Sequence, residues 1–181
     1  MKFLIKYFFV VMRWFCYKSY KIEGINALLL IMPAKLIVPT LRKYGAVIGE
    51  DVILHSPLII HNAGEDYSNL TLGNHVYFGR AVFLDLRDKI SIGDRATISM
   101  RTVLLTHTNV GESRVKKVIP SSRGPILIGD DVYVGANATI SEGVKIGEGA
   151  VVGTCALVRH SVAAHTVVAG VPAKEIKKLN G

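Results

Sequence analysis

Proton transfer at neutral pH falls most readily to imidazole. The 181-residue chain carries six histidines: His55, His61, His75, His107, His160 and His165. His107 stands apart by its position. It closes the run Leu104-Leu105-Thr106-His107 and opens residues 108–124 (TNVGESRVKKVIPSSRG), a charged stretch with Gly, Ser and Pro that cannot pack inside a core. Loops held by a rigid scaffold are where chemistry tends to sit. An imidazole there can take a proton from a hydroxyl, which is un-ionised at pH 7. Asp85 is the acid whose placement can be argued beside it, once the elements below are in place. His160 and His165 have the H-x4-H spacing of a metal-ligand pair, but no third ligand lies at a fitting upstream position, so no metal is expected. Cys16 and Cys155 lie 139 positions apart, which excludes a dense disulfide framework or a cysteine zinc site and fits a reducing compartment.

The elements that position these groups come from a repeat. From Ile128, steps of six give Val134, Ile140, Ile146, Val152 and Val158, all branched aliphatics. The residues that follow are Gly129, Gly135, Ser141, Gly147, Gly153 and Arg159. Four positions after each aliphatic come Val132, Ala138, Val144, Ala150, Ala156 and Val162. Upstream the rule gives Leu72, Phe78 and Leu84, then Ile92, Ile98 and Leu104 after a step of eight, so two residues are inserted near 85–89. Ile48 and Leu54 start the series, and residues 61–71 interrupt it.

A period of six fits neither an amphipathic helix nor an alternating strand. It fits a coil with three flat sides, one aliphatic per side pointing inward, with Gly and small residues at the corners. Coils stack as parallel strands about 4.8 Å apart, which makes a solenoid. Leu104 then stacks over Leu84. Asp85 and His107 share a face, one coil apart and offset by two residues. With about 3.3 Å of rise per residue, their Cα atoms are expected about 8 Å apart, lining one pocket without touching.

Residues 1–44 differ in kind. They hold eight basic residues and one acid, Glu23, whereas residues 45–181 hold 14 basic and 13 acidic. The overall +8 therefore sits mainly in the N-terminal segment, which weakens nucleic acid as a partner for the body. The segment reads as helical, with Lys2, Lys6 and Arg13 in one stripe and Phe3, Leu4, Phe8, Val11, Trp14 and Phe15 around it. Pro33 and Pro39 are expected to kink or end a second helical stretch. Such a rod either lies flat at a membrane interface or packs on its own subunit or a neighbour. No apolar run reaches the roughly 18–20 residues of a spanning helix, and no small-x-small cleavage site follows the N-terminal apolar stretch.

The repeat resembles that of the hexapeptide-repeat acyltransferases, over about residues 45–178. Three further features are similar to the sugar O-acetyltransferase branch, which includes maltose and galactoside acetyltransferases and enzymes that decorate bacterial surface polysaccharides. These are His107 before its long loop, the re-entry Gly124-Pro125-Ile126-Leu127-Ile128-Gly129, and the closing Ala169-Gly170-Val171-Pro172-Ala173-Lys174.

The resemblance implies an all-β solenoid, a left-handed parallel β-helix, with residues 1–44 as a helical segment before it and 108–124 as a protruding loop. It implies a cytoplasmic homotrimer, with any membrane contact peripheral, that moves acetyl from acetyl-CoA to a saccharide hydroxyl. His107 would be the base and Asp85 would bind the acceptor. Main chain at Gly135, Ala136, Gly153 and Thr154 would meet the pantetheine arm. Arg159 and Lys174 would meet the CoA phosphates. An acceptor-holding Asn known in relatives has no counterpart in Val76-Tyr77-Phe78-Gly79-Arg80. Serine or a nucleotide amino sugar as acceptor, and a non-catalytic or metal-binding β-helix, are the alternatives.

Overall fold

A computed structural model describes residues 2–180. The aliphatics six apart form three parallel sheets that wrap into a triangular solenoid. The first face carries Val47–Ile48, Leu70–Leu72, Ile90–Ile92, Ile126–Ile128 and Lys145–Ile146, hydrogen-bonded in that order. The second carries Ile53–Leu54, Tyr77–Phe78, Thr97–Ile98, Tyr133–Val134, Val151–Val152 and Thr166–Ala169. The third carries Leu58–His61, Val82–Asp85, Val103–Leu104, Thr139–Ile140 and Leu157–Val158. Every aliphatic of the six-step series from Ile128 to Val158 is buried, as are the small apolar residues four positions on. One aliphatic and one small apolar side chain per side fill the interior of each regular coil. Because it contacts only the coils above and below, the core grows by stacking.

The spacing gives the tight backbone angles of the corners to the glycines that follow each aliphatic, and the structure moves those angles two positions on. The residue with left-handed backbone comes three positions after the aliphatic: Asp51, Ala81, Arg95, Arg101, Asp131, Asn137 and Cys155, all near φ +55°, with Gly143 and Gly149 in the same role. The glycines directly after the aliphatics serve a different need. A Cβ on Gly147 would lie 2.4 Å from the backbone N of Ala164 in the next coil. The coils approach too closely there for any side chain.

Two helices close the start of the solenoid. The first, Lys2–Leu29, breaks at Lys21 (φ 50°, ψ −135°) into two legs that pack on each other. A Cβ on Gly24 would lie 2.4 Å from the Cys16 carbonyl oxygen, so only glycine allows this approach. Pro33 starts the second helix, Ala34–Lys43. Pro39, expected to kink or end it, lies inside it. Ile37, Thr40 and Leu41 of that helix are buried, and this anchorage on the core outweighs the missing N–H. Ile25, Leu29, Met32, Ile37 and Leu41 form the lid over the first coil. Tyr67, from the first interruption, is fully buried, and its hydroxyl donates to Asn26 Oδ1 at 2.8 Å. At the far end Lys174–Lys178 runs antiparallel to Thr166–Ala169.

Candidate active site

Register shows where the coil is interrupted. On the first face Val47 pairs with Thr71, Thr71 with Ser91, Ser91 with Leu127, and Leu127 with Lys145. The separations are 24, 20, 36 and 18 residues, where an uninterrupted coil needs 18. On the third face Ile60 pairs with Leu84 and Leu84 with Leu104, and on the second Leu54 pairs with Phe78 and Phe78 with Ile98. All three insertions therefore leave the solenoid at one corner, between the third and first faces, in three successive coils.

Asn62, Asp85 and His107 stand at that corner, one from each coil. The structure corrects the expectation that Asp85 and His107 do not touch. Asp85 Oδ2 lies 2.5 Å from His107 Nδ1, so the two groups touch. Thr106 holds the same carboxylate. Its backbone N–H and its hydroxyl each donate to Asp85 Oδ2 at 3.0 Å, and the hydroxyl also reaches the Asp85 carbonyl at 2.8 Å. Thr106 and His107 thus meet at the same carboxylate oxygen.

The role expected for Asp85 also changes. Asp85 is 1% exposed, and Asn62 Nδ2 donates to its Oδ1 at 2.8 Å. With Oδ2 taken by Thr106 and His107, the carboxylate has no face open to an acceptor. It lies beneath His107 and orients the ring. Burial pushes the carboxyl upward, but hydrogen bonds from Asn62, His107 and Thr106 outweigh it and hold it below its ordinary 3.8. An ionised Asp85 only accepts, so Nδ1 carries a proton, and in the neutral ring the lone pair is on Nε2. The ring is partly exposed and lines a hollow of about 270 Å³ with Arg87, Thr108, Asn109, Ser122 and Arg123.

The loop expected at 108–124 is an exposed hairpin arm. His107–Thr108 pairs antiparallel with Ser122–Arg123, and a short helical turn, Arg114–Lys117, lies between them. Glu142, from the coil above, clamps both strands at the root. It accepts from Ser122 Oγ at 2.6 Å and Thr108 Oγ1 at 3.1 Å. Arg123 Nε also meets Asp88 Oδ2 at 3.2 Å, tying the arm to the second insertion.

The remaining expected residues lie elsewhere. Gly135, Ala136, Gly153 and Thr154 follow second-face strands, so they line the corner between the second and third faces, away from His107. There Gly135 and Gly153 do stack one coil apart. A Cβ on Gly135 would lie 2.6 Å from the backbone N of Thr154. Ala136 borders a hollow of about 400 Å³ with His55, Tyr77, Arg80 and Met100. Arg159 follows Val158, which stacks on Ile140 and so over Leu104, placing it on the His107 corner two coils up. Lys174 pairs with Ala169 at the end of the second face. One chain thus does not bring His107 and the Gly135–Thr154 track together.

Asn62 and Glu142 escaped the spacing argument. Asn62 follows Ile60 by two positions, as Thr106 follows Leu104 and Glu142 follows Ile140. That shared coil position was the signal available. Among the described residues no group of three or more His, Cys, Asp or Glu is placed to hold a metal ion.

Residues 125–160 match the family model described as bacterial transferase hexapeptide (six repeats). Over 72 residues, 40% of this chain, the sequence is 46% identical to the 2,3,4,5-tetrahydropyridine-2,6-dicarboxylate N-acetyltransferase of Staphylococcus aureus (strain bovine RF122 / ET3-1). That match spans 30% of the relative's length. The structure is similar to the hexapeptide-repeat containing acetyltransferase of Vibrio cholerae, with a TM-score of 0.76 and 25% identity, over 88% of this chain and 89% of that one. That acetyltransferase has also been solved complexed with acetyl coenzyme A. A maltose O-acetyltransferase from Clostridium difficile 630 shares the fold, with a TM-score of 0.71 and 22% identity, over 95% of this chain and 88% of that one. The left-handed parallel β-helix and the resemblance to hexapeptide-repeat acyltransferases are both borne out.

Proposed function

We propose that this hexapeptide-repeat β-helix chain is an acetyltransferase that moves acetyl from acetyl-CoA to a hydroxyl of a saccharide. The observation that carries the proposal is the Asp85–His107 pair at the open corner. It fixes one imidazole nitrogen as donor and leaves the other as base. Nε2 takes the hydroxyl proton as the acceptor oxygen attacks the thioester carbonyl. The tetrahedral intermediate collapses, the C–S bond breaks, and the thiolate of CoA leaves with the proton from the imidazolium. Asp85 steadies the imidazolium while it lasts. The solved structure with acetyl coenzyme A supports the choice of donor.

A homotrimer supplies the rest. Neighbouring subunits would set the His107 corner of one chain against the Gly135–Ala136 and Gly153–Thr154 track of the next. The separation of these two corners within one chain favours that arrangement. Main-chain amides along the track pair with the pantetheine arm, and Arg159 and Lys174 take the CoA phosphates. The reaction is placed in the cytoplasm with its donor, and the acetylated glycan is assigned to bacterial surface polysaccharide synthesis.

An amine acceptor is the second reading, favoured by the 46% match to an N-acetyltransferase. The test is release of the CoA thiol from acetyl-CoA over a panel of neutral sugars, amino sugars, nucleotide sugars, serine and the tetrahydropyridine dicarboxylate. Release with a sugar that has only hydroxyls supports O-acetylation. Release only with amines replaces the hydroxyl acceptor. Absence of both release and acetyl-CoA binding overturns the transferase.

A further inference from the structure

The first leg of the Lys2–Leu29 helix has two apolar faces and needs only one to fold. Phe9, Met12, Cys16 and Tyr17 pack inward on the core. Tyr17 stacks on Tyr44 with ring centroids 4.8 Å apart, and Arg13 Nη1 donates to Thr40 Oγ1 at 3.2 Å. The leg is therefore anchored along its inner side. The outer side carries Leu4, Tyr7, Phe8, Val11, Trp14 and Phe15, spaced so that they share one arc of the helix. Each of them is between 46 and 70% exposed. Six large apolar side chains in a row against water mark a docking surface rather than ordinary scatter.

Charge identifies the occupant. Residues 1–22 carry five cations, Lys2, Lys6, Arg13, Lys18 and Lys21, and no acid. A second copy of the leg docked on this face would bring five more cations and no acid. Arg13 is held on the inner side by Thr40, and a surface of anionic lipid headgroups neutralises the exposed Lys18, which falls within the outer arc, and Lys21 at its edge. Trp14 and Tyr7 belong to the amphipathic aromatic types that settle at the boundary between headgroups and acyl chains. No helix among the described residues is long and apolar enough to cross a membrane, and the inner side of this leg is already bound to protein. The leg can only lie in the plane of the interface.

We infer that the outer face of this leg docks the protein on an anionic lipid surface, with Phe8, Trp14 and Phe15 inserted among the headgroups. The inference stands apart from the acetyl-transfer chemistry.

Flotation of the full chain with vesicles tests it. One set is phosphatidylcholine alone and the other holds roughly a third phosphatidylglycerol. The wild type is expected to float with the anionic set and to come off as salt rises. The variant Phe8→Ser/Trp14→Ser/Phe15→Ser should lose at least about tenfold in partitioning. The variant Lys18→Glu/Lys21→Glu should lose at least about fivefold. All three substituted aromatics lie outward or half outward, so thermal unfolding of the serine variant should match the wild type. Equal flotation with both vesicle sets, or with neither, overturns the inference. A change in sedimentation mass in the serine variant, with flotation unchanged, overturns it in favour of a contact between copies.

Discussion

The corner between the third and first faces exists in two forms. In the first three coils it is interrupted every time, by 6, 2 and 18 residues beyond the regular turn. From Leu127 to Lys145 it closes in the regular 18. The interrupted corner holds a buried carboxylate, a histidine and a protruding arm. The regular corner directly above holds the clamp, Glu142. A solenoid can lengthen a turn without disturbing its core, because each coil's inward aliphatics are packed by the coils above and below. Chemistry accumulates where the repeat is broken. The unbroken coils hold the broken ones in register.

The sharpest way to test that division is to substitute one residue of each kind. Asp85→Asn should lower turnover by roughly 10²–10⁴, because the amide no longer selects the tautomer that leaves Nε2 basic. Acetyl-CoA affinity should stay unchanged, which isothermal titration measures. The same variant carries a stability signature. The carboxyl of Asp85 is held below its ordinary 3.8 in the folded state. Its stabilisation is therefore present above that value and is lost as pH falls through the lower, folded-state value. Unfolding measured from pH 6 down to pH 2 should show a shallower acid loss in Asp85→Asn than in wild type. An identical slope would remove Asp85 from the ionised role.

Next in size is Asn62→Ala. It deletes a hydrogen bond to a buried charge and should cost about 1.5–3 kcal/mol of stability, with turnover down roughly tenfold through a less firmly held Asp85. Denaturant unfolding and steady-state kinetics read the two effects. Gly147→Ala makes the opposite case from the regular coils. Its new Cβ must displace backbone and should cost about 1–3 kcal/mol of stability, while turnover per folded molecule stays at the wild-type level. If its turnover fell as far as that of Asn62→Ala, the division between the two forms of the corner would fail. The smallest effect is expected from Glu142→Gln, which keeps an acceptor for Ser122 and Thr108 but loses the charge. A rise in KM of about two- to fivefold with turnover nearly kept would place Glu142 as a holder of the arm.

Much of this architecture is legible in the sequence, and what is missed has a physical pattern. Spacing alone finds the aliphatics from Ile48 to Val158, because a period of six has few other solutions. It also finds His107, because the longest break in the period follows it. It misses the contact between Asp85 and His107, since a count of residues along strands places Cα atoms and not the tips of side chains. It misses Asn62, whose importance depends on the residue it touches in the next coil. It assigns glycines to turns, where the structure uses them for close approach between coils. The break of the first helix at Lys21 carries no local signal, and the close approach of Gly24 to Cys16 that accompanies it appears only in three dimensions. Periodicity reports the interior well. Polar contacts between coils need the three-dimensional register.

In the proposed function His107, set by Asp85, is the proton acceptor of an acetyl transfer. The most direct measurement follows CoA thiol release with the best acceptor of the panel in wild type and His107→Ala, beside acetyl-CoA affinity of each by titration calorimetry. A fall in turnover of roughly 10²-fold or more, with acetyl-CoA affinity unchanged, is the predicted result. Turnover within a few-fold of wild type in a folded His107→Ala protein would contradict the claim.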